Sequence, residues 1–264
     1  MANNKLPISI IIPCADDIQI KTCLESIDEK VEIIVALNGA SEEVKNIVRG
    51  YKVKIIEIPE RNLAKAENIG IEEAENKKIL LLDSDCRLQK KAIKKLYNAF
   101  FDCDVIKGRV IFESNGFLSK IIARVREYIY YCPPKPFNPF LAINKDIKKL
   151  IGNYFFDEDI YWTEDADLHL RLKKAGIKVK YFWEAKAFHS PLPIRHDLKS
   201  AFRYGIGKRR RVQKGTARGV GSDFGHVLDI ALKKGFFPSL YYIVWNCFYS
   251  AGFFYQMLFV RRLL

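Results

Sequence analysis

The chain has 264 residues, of which 49% are hydrophobic and 28% charged, enough for a sizeable core in one domain with room for an appendage. Its formal net charge of +13 points to an anionic partner: nucleic acid, a phosphorylated substrate or an anionic membrane face. The six cysteines are scattered without a C-x-x-C pair, which argues against a disulfide framework or zinc site and favours reduced thiols in a cytosolic context. The polar N-terminus and short first apolar run do not fit a signal peptide.

Strands and helices alternate through the first part of the chain. Apolar or β-branched runs predict strands at 7–13, 31–37, 53–58 and 78–82. Helical spacing or capping signals lie between them, at 18–27, after Ser41 and at 62–76. Alternation at this spacing predicts a mostly parallel, doubly wound α/β sheet flanked by helices.

The pattern continues to about residue 190. Further helices are predicted at 90–101, 115–131 and 165–175, the last closed by Gly176 in the C-cap position. Further strands are predicted at 104–112, 140–144 and 179–182, followed by a short strand that ends at His189. We therefore expect one α/β domain over 1–193 and an appendage over 194–264.

Two aspartates follow the fourth predicted strand, as Asp83-Ser84-Asp85. In open α/β sheets, ligands bind beyond the carboxyl ends of the strands. Carboxylates at i and i+2 can share one hard divalent cation, which takes oxygen ligands and keeps phosphate and water in its shell. The alternative is an ordinary strand end whose aspartates cap the next helix.

A second acidic group, which includes Glu164 and Asp165, lies at a predicted helix start. Its carboxylates either complement the helix dipole or include a general base that faces a cleft. His189 is either an ordinary loop histidine or an imidazole that completes a metal site with Asp85.

The helix predicted at 62–76 carries Lys65 and Asn68 near its start. As a plain amphipathic helix it needs no function. If its N-terminus faces a ligand, Lys65 neutralises a phosphate and Asn68 bonds a ribose or a base.

Composition changes beyond residue 193. Residues 198–222 carry basic but no acidic side chains, and 236–260 contain no charged side chain. We interpret the first stretch as a juxtamembrane segment that binds anionic headgroups, rather than a nucleic-acid patch, a solvated basic face or a lid formed by Arg209–Arg211. The second stretch is long enough to span a bilayer, and an in-plane helix or a buried oligomer helix is the alternative.

The order of these segments resembles the inverting family 2 glycosyltransferases, which have the GT-A fold. The resemblance covers about residues 7–190, and its motifs are short individually but follow one another in the family's order. They are Ile10-Ile11-Ile12-Pro13, Ala64-x-Ala66-x-Asn68-x-Gly70, Leu82-Asp83-Ser84-Asp85, Glu164-Asp165-x-Asp167-Leu168-x-x-Arg171 and Ala187-Phe188-His189.

The resemblance implies a reaction and a set of site residues. Asp85 would be the direct ligand of Mg²⁺ or Mn²⁺ on the diphosphate of a nucleotide sugar, and Asp83 would lie on the ribose or the metal. His189 is the further metal ligand considered above. Asp165 would be the catalytic base and Glu164 its neighbour at the acceptor. The expected nucleotide-sugar contacts are Pro13, Asp16, Asn38, Lys65, Asn68, Asp83, Ser84 and Asp85.

Departures from the family pattern refine this prediction. Leu37 stands where an acid usually contacts the base, so Asn38 or Asp16 is expected to take that role. Glu67 occupies a position that is often Arg. The Gln-x-x-Arg-Trp motif of processive synthases is absent from the sequence, which favours transfer of one sugar per event.

The resulting prediction is a metal-assisted glycosyltransferase at the cytoplasmic face of the cell membrane, bound peripherally or through a single C-terminal anchor. Its acceptor would be a lipid-linked molecule or a polysaccharide. We expect it to bind an anionic membrane surface and not nucleic acid. Whether it forms a homo-oligomer is left open. One alternative is a non-catalytic membrane or nucleic-acid binding protein that retains the fold. A sugar nucleotidyltransferase is the other, although such enzymes usually carry a Gly-rich loop where this chain has Pro13-Cys14-Ala15-Asp16.

Overall fold

The computed structural model describes residues 5–160, 162–219 and 225–259. The chain divides into two compact units, each assembled from separated segments. The first, called here the sheet unit, consists of Met1–Ile111, Pro136–Glu158 and Leu168–His189. The second, called the helical unit, consists of Phe112–Lys135, Asp159–Asp167 and Ser190–Leu264. The predicted boundary after residue 193 remains a prediction about independent folding.

The described residues contain eight strands in one sheet and nine α-helices. The strands are β1 (Ile8–Cys14), β2 (Glu32–Asn38), β3 (Lys54–Ile58), β4 (Lys78–Leu81), β5 (Cys86–Leu88), β6 (Val105–Phe112), β7 (Leu141–Asn144) and β8 (Val179–His189). The helices are α1 (Ile20–Glu25), α2 (Glu42–Arg49), α3 (Leu63–Glu72), α4 (Ala92–Ala99), α5 (Phe117–Tyr131), α6 (Glu164–Lys174), α7 (Ile194–Gln213), α8 (Gly225–Lys234) and α9 (Phe236–Leu258), with a 3-10 helix at Lys145–Ile151.

The strand order is β3-β2-β1-β4-β7-β6-β8-β5. The first four strands pair in parallel, as their helical crossovers require. β1 is buried along its whole length, which explains its mostly apolar sequence. The prediction of a mostly parallel α/β sheet flanked by helices is confirmed; the antiparallel pairs β4–β7, β6–β7 and β5–β8 lie in its second half.

The two short strands predicted before His189 form one long strand, β8. The sequence pattern breaks in its middle because Trp183 and Glu184 are exposed there. The strand β5 was not predicted, since three residues carry too little pattern to be recognised.

A hydrophobic core fixes the strand ends of the sheet unit. Ile11 of β1, Leu81 of β4 and Ile143 of β7 belong to one buried cluster with Phe156 and with Leu172 of α6. Burying one such side chain contributes about 1.5–3 kcal/mol. The chain that follows β4 therefore starts from a rigid support.

The helical unit is built around α7 and α9, which run roughly parallel. Near their starts, the Tyr241 hydroxyl donates to the Asp197 carboxylate at 2.6 Å, and near their ends Arg209 lies over the Phe253 ring at 5.6 Å. Asp197 also forms a buried ion pair with Arg126 of α5. The unit therefore has its own apolar and charged core.

The sequence left open whether 236–260 spans a bilayer. Within the described residues, none of the helices is long and apolar enough to cross a membrane.

Glycines set the distance between α7 and α9. A Cβ added to Gly252 would lie 1.8 Å from the carbonyl oxygen of Phe202, and one added to Gly205 would lie 1.9 Å from that of Tyr249. Only residues without a side chain allow the two backbones to approach this closely.

We expect Gly252→Leu to destabilise the protein by about 3 kcal/mol or more, because the added side chain meets backbone that has no room to yield. Thermal unfolding followed by circular dichroism measures the effect. Gly219→Ala, whose added Cβ would meet no heavy atom of the described residues within 4 Å, is the control and should unfold at nearly the wild-type temperature. Equal unfolding temperatures for the two variants would contradict the close approach.

Candidate active site

The register of β5 against β8 brings Asp85 and His189 together. Cys86, the first residue of β5, pairs with His189, the last residue of β8. Asp85 directly precedes Cys86, and its Oδ2 lies 3.2 Å from the Nε2 of His189. His189 is buried, and Asp85 keeps 26% of its side chain exposed. A carboxylate and an imidazole thus meet at the sheet edge, with the carboxylate open to solvent.

These side chains suit a divalent cation. Potential ligand atoms of Asp85, Cys86 and His189 all lie within 4.8 Å of one another. A carboxylate and an imidazole fit Mn²⁺, with the remaining positions left for water and phosphate oxygens. Burial raises the pKa of the Cys86 thiol well above its usual range, and a hard cation prefers oxygen and nitrogen ligands to sulfur. Asp85 and His189 are therefore the residues of this group that would hold the ion.

Asp83 and Ser84 hold the same loop by other contacts. The backbone carbonyl of Asp83 accepts a hydrogen bond from the Cys23 thiol at 3.6 Å. The Ser84 hydroxyl donates to Asp17 at 2.9 Å and so links this loop to the one after β1. Asp83 is not one of the three clustered ligands. Metal binding by Asp83 and nucleotide contact by both residues stay predictions.

Asp16 lies just after β1, and Asn38 is the last residue of the neighbouring parallel strand β2. The Asp16 carboxylate accepts from the Ser41 backbone N–H at 3.0 Å and pairs with Arg61. Asn38 is 7% exposed, and its Oδ1 accepts no hydrogen bond from any described residue. Leu37 is buried in the core. A buried carbonyl oxygen without a donor is costly, and an N–H group of a ligand would satisfy it.

The predicted contacts on α3 are engaged within the sheet unit. Lys65 pairs with Glu60. The Asn68 amide donates to the Phe156 carbonyl at 2.8 Å and to Glu158 at 3.0 Å, and it accepts from the Phe156 N–H at 3.0 Å. Asn68 thereby holds the segment 156–158. Nucleotide contact by Lys65 and Asn68 stays a prediction, as it does for Pro13 of β1.

The acidic helix start belongs to the helical unit. Glu164 and Asp167 are buried, whereas Asp165 is partly exposed. The backbone before them turns sharply, with Trp162 in the left-handed region at φ 68°. Of the three acids in the first turn of α6, Asp165 is the one that is not buried.

Basic residues of α7 and the turn after it bind this acidic segment. Arg210 donates to the Asp159 carbonyl at 3.0 Å, and Lys214 lies 2.9 Å from the Asp159 carboxylate and lowers its pKa. Arg211 donates to the Ala166 carbonyl at 3.1 Å. Arg203 stacks over the Trp162 ring at 4.5 Å. Part of the stretch interpreted as juxtamembrane therefore serves to fix residues 159–167.

Sequence reasoning missed three residues that organise these regions. Cys86 gave no signal, because a lone cysteine in a buried strand is common. Arg211 was considered only as part of a basic stretch or of a lid, whereas it donates to the Ala166 carbonyl. Arg171 stood inside a quoted motif, and its guanidinium donates to the backbone carbonyls of Ile151, Tyr154 and Phe155.

The strand order and sheet-edge site define the chain as a protein of the GT-A glycosyltransferase fold. A mannosyltransferase from Pyrobaculum calidifontis in complex with GDP-Man and Mn²⁺ aligns over 98% of this chain and 89% of its own, with a TM-score of 0.69 at 14% identity. Glucosyl-3-phosphoglycerate synthase from Mycobacterium tuberculosis, in complex with Mn²⁺, UDP and phosphoglyceric acid, aligns over 81% of this chain and 80% of its own. The TM-score is 0.58 at 14% identity. TarS from S. aureus in complex with UDP-GlcNAc aligns over 76% of this chain and 65% of its own, with a TM-score of 0.57 at 17% identity.

The sequence gives the same assignment independently. The model of the family "Glycosyl transferase family 2" matches residues 9–156, more than half of the chain. The chain belongs to this family. Curated proteins yield no significant match to its sequence.

Proposed function

We propose that the protein transfers one sugar from a nucleotide-diphosphate sugar to a lipid-linked or polysaccharide acceptor, with inversion at the anomeric carbon. The observation that carries the proposal is the Asp85–His189 pair where β5 begins and β8 ends, the place where a family 2 chain is expected to hold the donor diphosphate. Solved structures of the same fold with Mn²⁺ and a nucleotide or nucleotide sugar support the donor class.

Each site residue has a defined task in this reaction. Asp85 and His189 hold a divalent cation, which when bound stabilises the negative charge of the leaving diphosphate. Asp165 accepts the proton of the acceptor hydroxyl while the hydroxyl oxygen forms a bond to the anomeric carbon. The bond from that carbon to the diphosphate oxygen breaks on the opposite face, so one displacement inverts the centre. Glu164 keeps its predicted place beside the base.

The acceptor and location are inferred from the C-terminal part of the chain. The basic stretch 198–222 and the apolar stretch 236–260 favour work at the cytoplasmic face of a membrane. A lipid-linked acceptor or a growing polysaccharide would be presented there.

The function is tested by incubating the purified protein with radiolabelled GDP- and UDP-sugars, Mn²⁺ or Mg²⁺, and lipid extract or polysaccharide. We expect label to appear in one acceptor with one donor, and slow donor hydrolysis without acceptor. Formation of a nucleotide sugar from a sugar phosphate and a nucleoside triphosphate would instead identify a nucleotidyltransferase. Failure of every nucleotide to stabilise the protein against heat would favour a non-catalytic protein.

Asn38→Leu should weaken nucleotide binding about tenfold, because the buried amide that we assign to the base is replaced by an apolar side chain of similar size. Calorimetric titration with the nucleoside diphosphate of the active donor and Mn²⁺ gives the dissociation constant. Asn46→Leu, on the exposed face of the neighbouring α2, is the control and should bind as the wild type does. Unchanged binding in Asn38→Leu would remove Asn38 from the nucleotide site.

A further inference from the structure

One face of α9 is apolar and uncovered in the described chain. Every exposed residue between Phe236 and Leu258 is hydrophobic, and the exposed fractions reach 71% at Phe236 and 67% at Leu258. The exposed positions Leu240, Val244 and Phe248 recur every four residues, the spacing of one helical face. An apolar surface of this length is uncommon on a protein that contacts only water.

The opposite face of α9 is bound to protein. Tyr241, Trp245 and Phe253 are buried, and Tyr241 bonds to Asp197 of α7. Gly252 lies against the α7 backbone. The helix therefore presents its apolar face outward while its inner face is fixed.

Neighbouring elements extend the apolar surface and add positive charge beside it. Phe117 of α5 is 67% exposed and packs edge-on against Phe237, with ring centroids 5.4 Å apart. One turn and two turns further along α5 lie the exposed cations Lys120 and Arg124, and Arg124 donates to the backbone carbonyl of Lys234. Exposed apolar and aromatic side chains next to lysine and arginine are the pattern of an interfacial helix.

We propose that the outward face of α9, with Phe117, docks on an anionic lipid bilayer so that the axis of α9 lies in the plane of the membrane surface. This docking proposal rests on the proposed function and deepens it, because it names the surface that would bring the enzyme to a lipid-linked acceptor.

The orientation follows from α7. This helix lies along α9 and carries the exposed cations Arg195 and Lys199. A spanning α9 would draw these side chains into the hydrocarbon, where each costs about 2.5–3.5 kcal/mol at the bilayer centre. An in-plane α9 leaves them in water or among headgroups.

A second copy of the chain is the competing occupant. A two-fold symmetric contact pairs the same patch with itself, and no exposed residue of α9 offers a carboxylate to Lys120 and Arg124. Anionic headgroups instead attract each cation near the surface by about 1 kcal/mol. The charge therefore favours lipid.

The test is binding of the full chain to sedimented vesicles of phosphatidylcholine alone or mixed with phosphatidylglycerol, without donor. We expect binding to the anionic vesicles, and a loss of at least about tenfold in Val244→Glu/Phe248→Glu, since each buried apolar side chain changes partitioning about tenfold. Phe101→Glu is the matched control, because Phe101 is 97% exposed in the sheet unit; it should bind like the wild type. Far-UV circular dichroism verifies that each variant is folded.

Depth is measured at Cys247, an exposed cysteine at the midpoint of α9. In a Cys103→Ser/Cys132→Ser background, a fluorophore on Cys247 should be quenched most strongly by spin labels placed high on the acyl chain. Strongest quenching at the bilayer centre would mean a span and would overturn the in-plane orientation. Equal vesicle binding by Val244→Glu/Phe248→Glu and the wild type, or a lipid-free dimer that only this variant loses, would overturn the docking surface.

Vesicle binding and sugar transfer are separate readouts. Binding without transfer from any donor would leave the surface in place and remove the proposed function. Transfer to a water-soluble acceptor without vesicle binding would support the proposed function and exclude the docking surface.

Discussion

Asp85→Ala should lower sugar transfer at least about thousandfold. The substitution removes the carboxylate that, with His189, is proposed to hold the cation on the donor diphosphate. A metal ion contributes several kcal/mol to the stabilisation of a leaving diphosphate, and each 1.36 kcal/mol corresponds to a factor of ten in rate. Initial rates of transfer with the identified donor measure the effect.

A second measurement separates metal binding from a general loss of structure. Nucleoside diphosphate with Mn²⁺ should raise the unfolding temperature of the wild type and leave that of Asp85→Ala nearly unchanged. Asp146→Ala, which removes an exposed carboxylate of the same unit paired with Lys77, should behave like the wild type in both assays. Full transfer activity in Asp85→Ala would remove Asp85 from the metal site.

Asp165→Asn should lower the rate of transfer by about a hundred- to ten-thousandfold, the range that one general base supplies. The amide matches the carboxylate in size and cannot accept the hydroxyl proton. Donor binding should be retained, because the proposed role of Asp165 concerns the acceptor. Single-turnover rates with saturating donor measure the chemical step.

Asp159→Asn is the control for Asp165→Asn. It removes a carboxylate of the same segment, where it is an exposed partner of Lys214, so it should retain transfer within a few-fold. Near-normal turnover in Asp165→Asn would exclude Asp165 as the base. An equal loss in both variants would mean that charge in this segment matters rather than a base at one position.

Sequence patterns predicted the first half of the fold well. The strands β1, β2 and β4 are almost wholly buried, so each is a mostly apolar run bounded by polar turns. β3 is only partly buried, and its three isoleucines still mark it as a strand. The second half was harder to predict. β5 is three residues long, and β8 is exposed in its middle, so local patterns miss the first of these strands and divide the second.

Candidate residues could be selected from the sequence, but their partners could not. The sequence suggested His189 as a partner of Asp85 only as one alternative to an ordinary loop histidine. The antiparallel register that brings the two side chains within 3.2 Å depends on contacts between residues more than a hundred positions apart. Asn68 looked equally suited to a ribose, yet its amide holds the backbone of Phe156. The partners of a polar side chain depend on tertiary packing, which local spacing does not encode.

Because of the contacts of helix α7, deleting the C-terminal part of the chain is a poor way to obtain protein for crystallisation and assays. Its cations fasten the segment that carries Asp165, and its glycine contacts fasten α9. Deleting the chain from α7 onward would therefore remove the supports of an acidic loop far upstream in sequence. Polar substitutions confined to the outer side of α9, with every residue of α7 retained, are the better starting point for crystallisation and assay work.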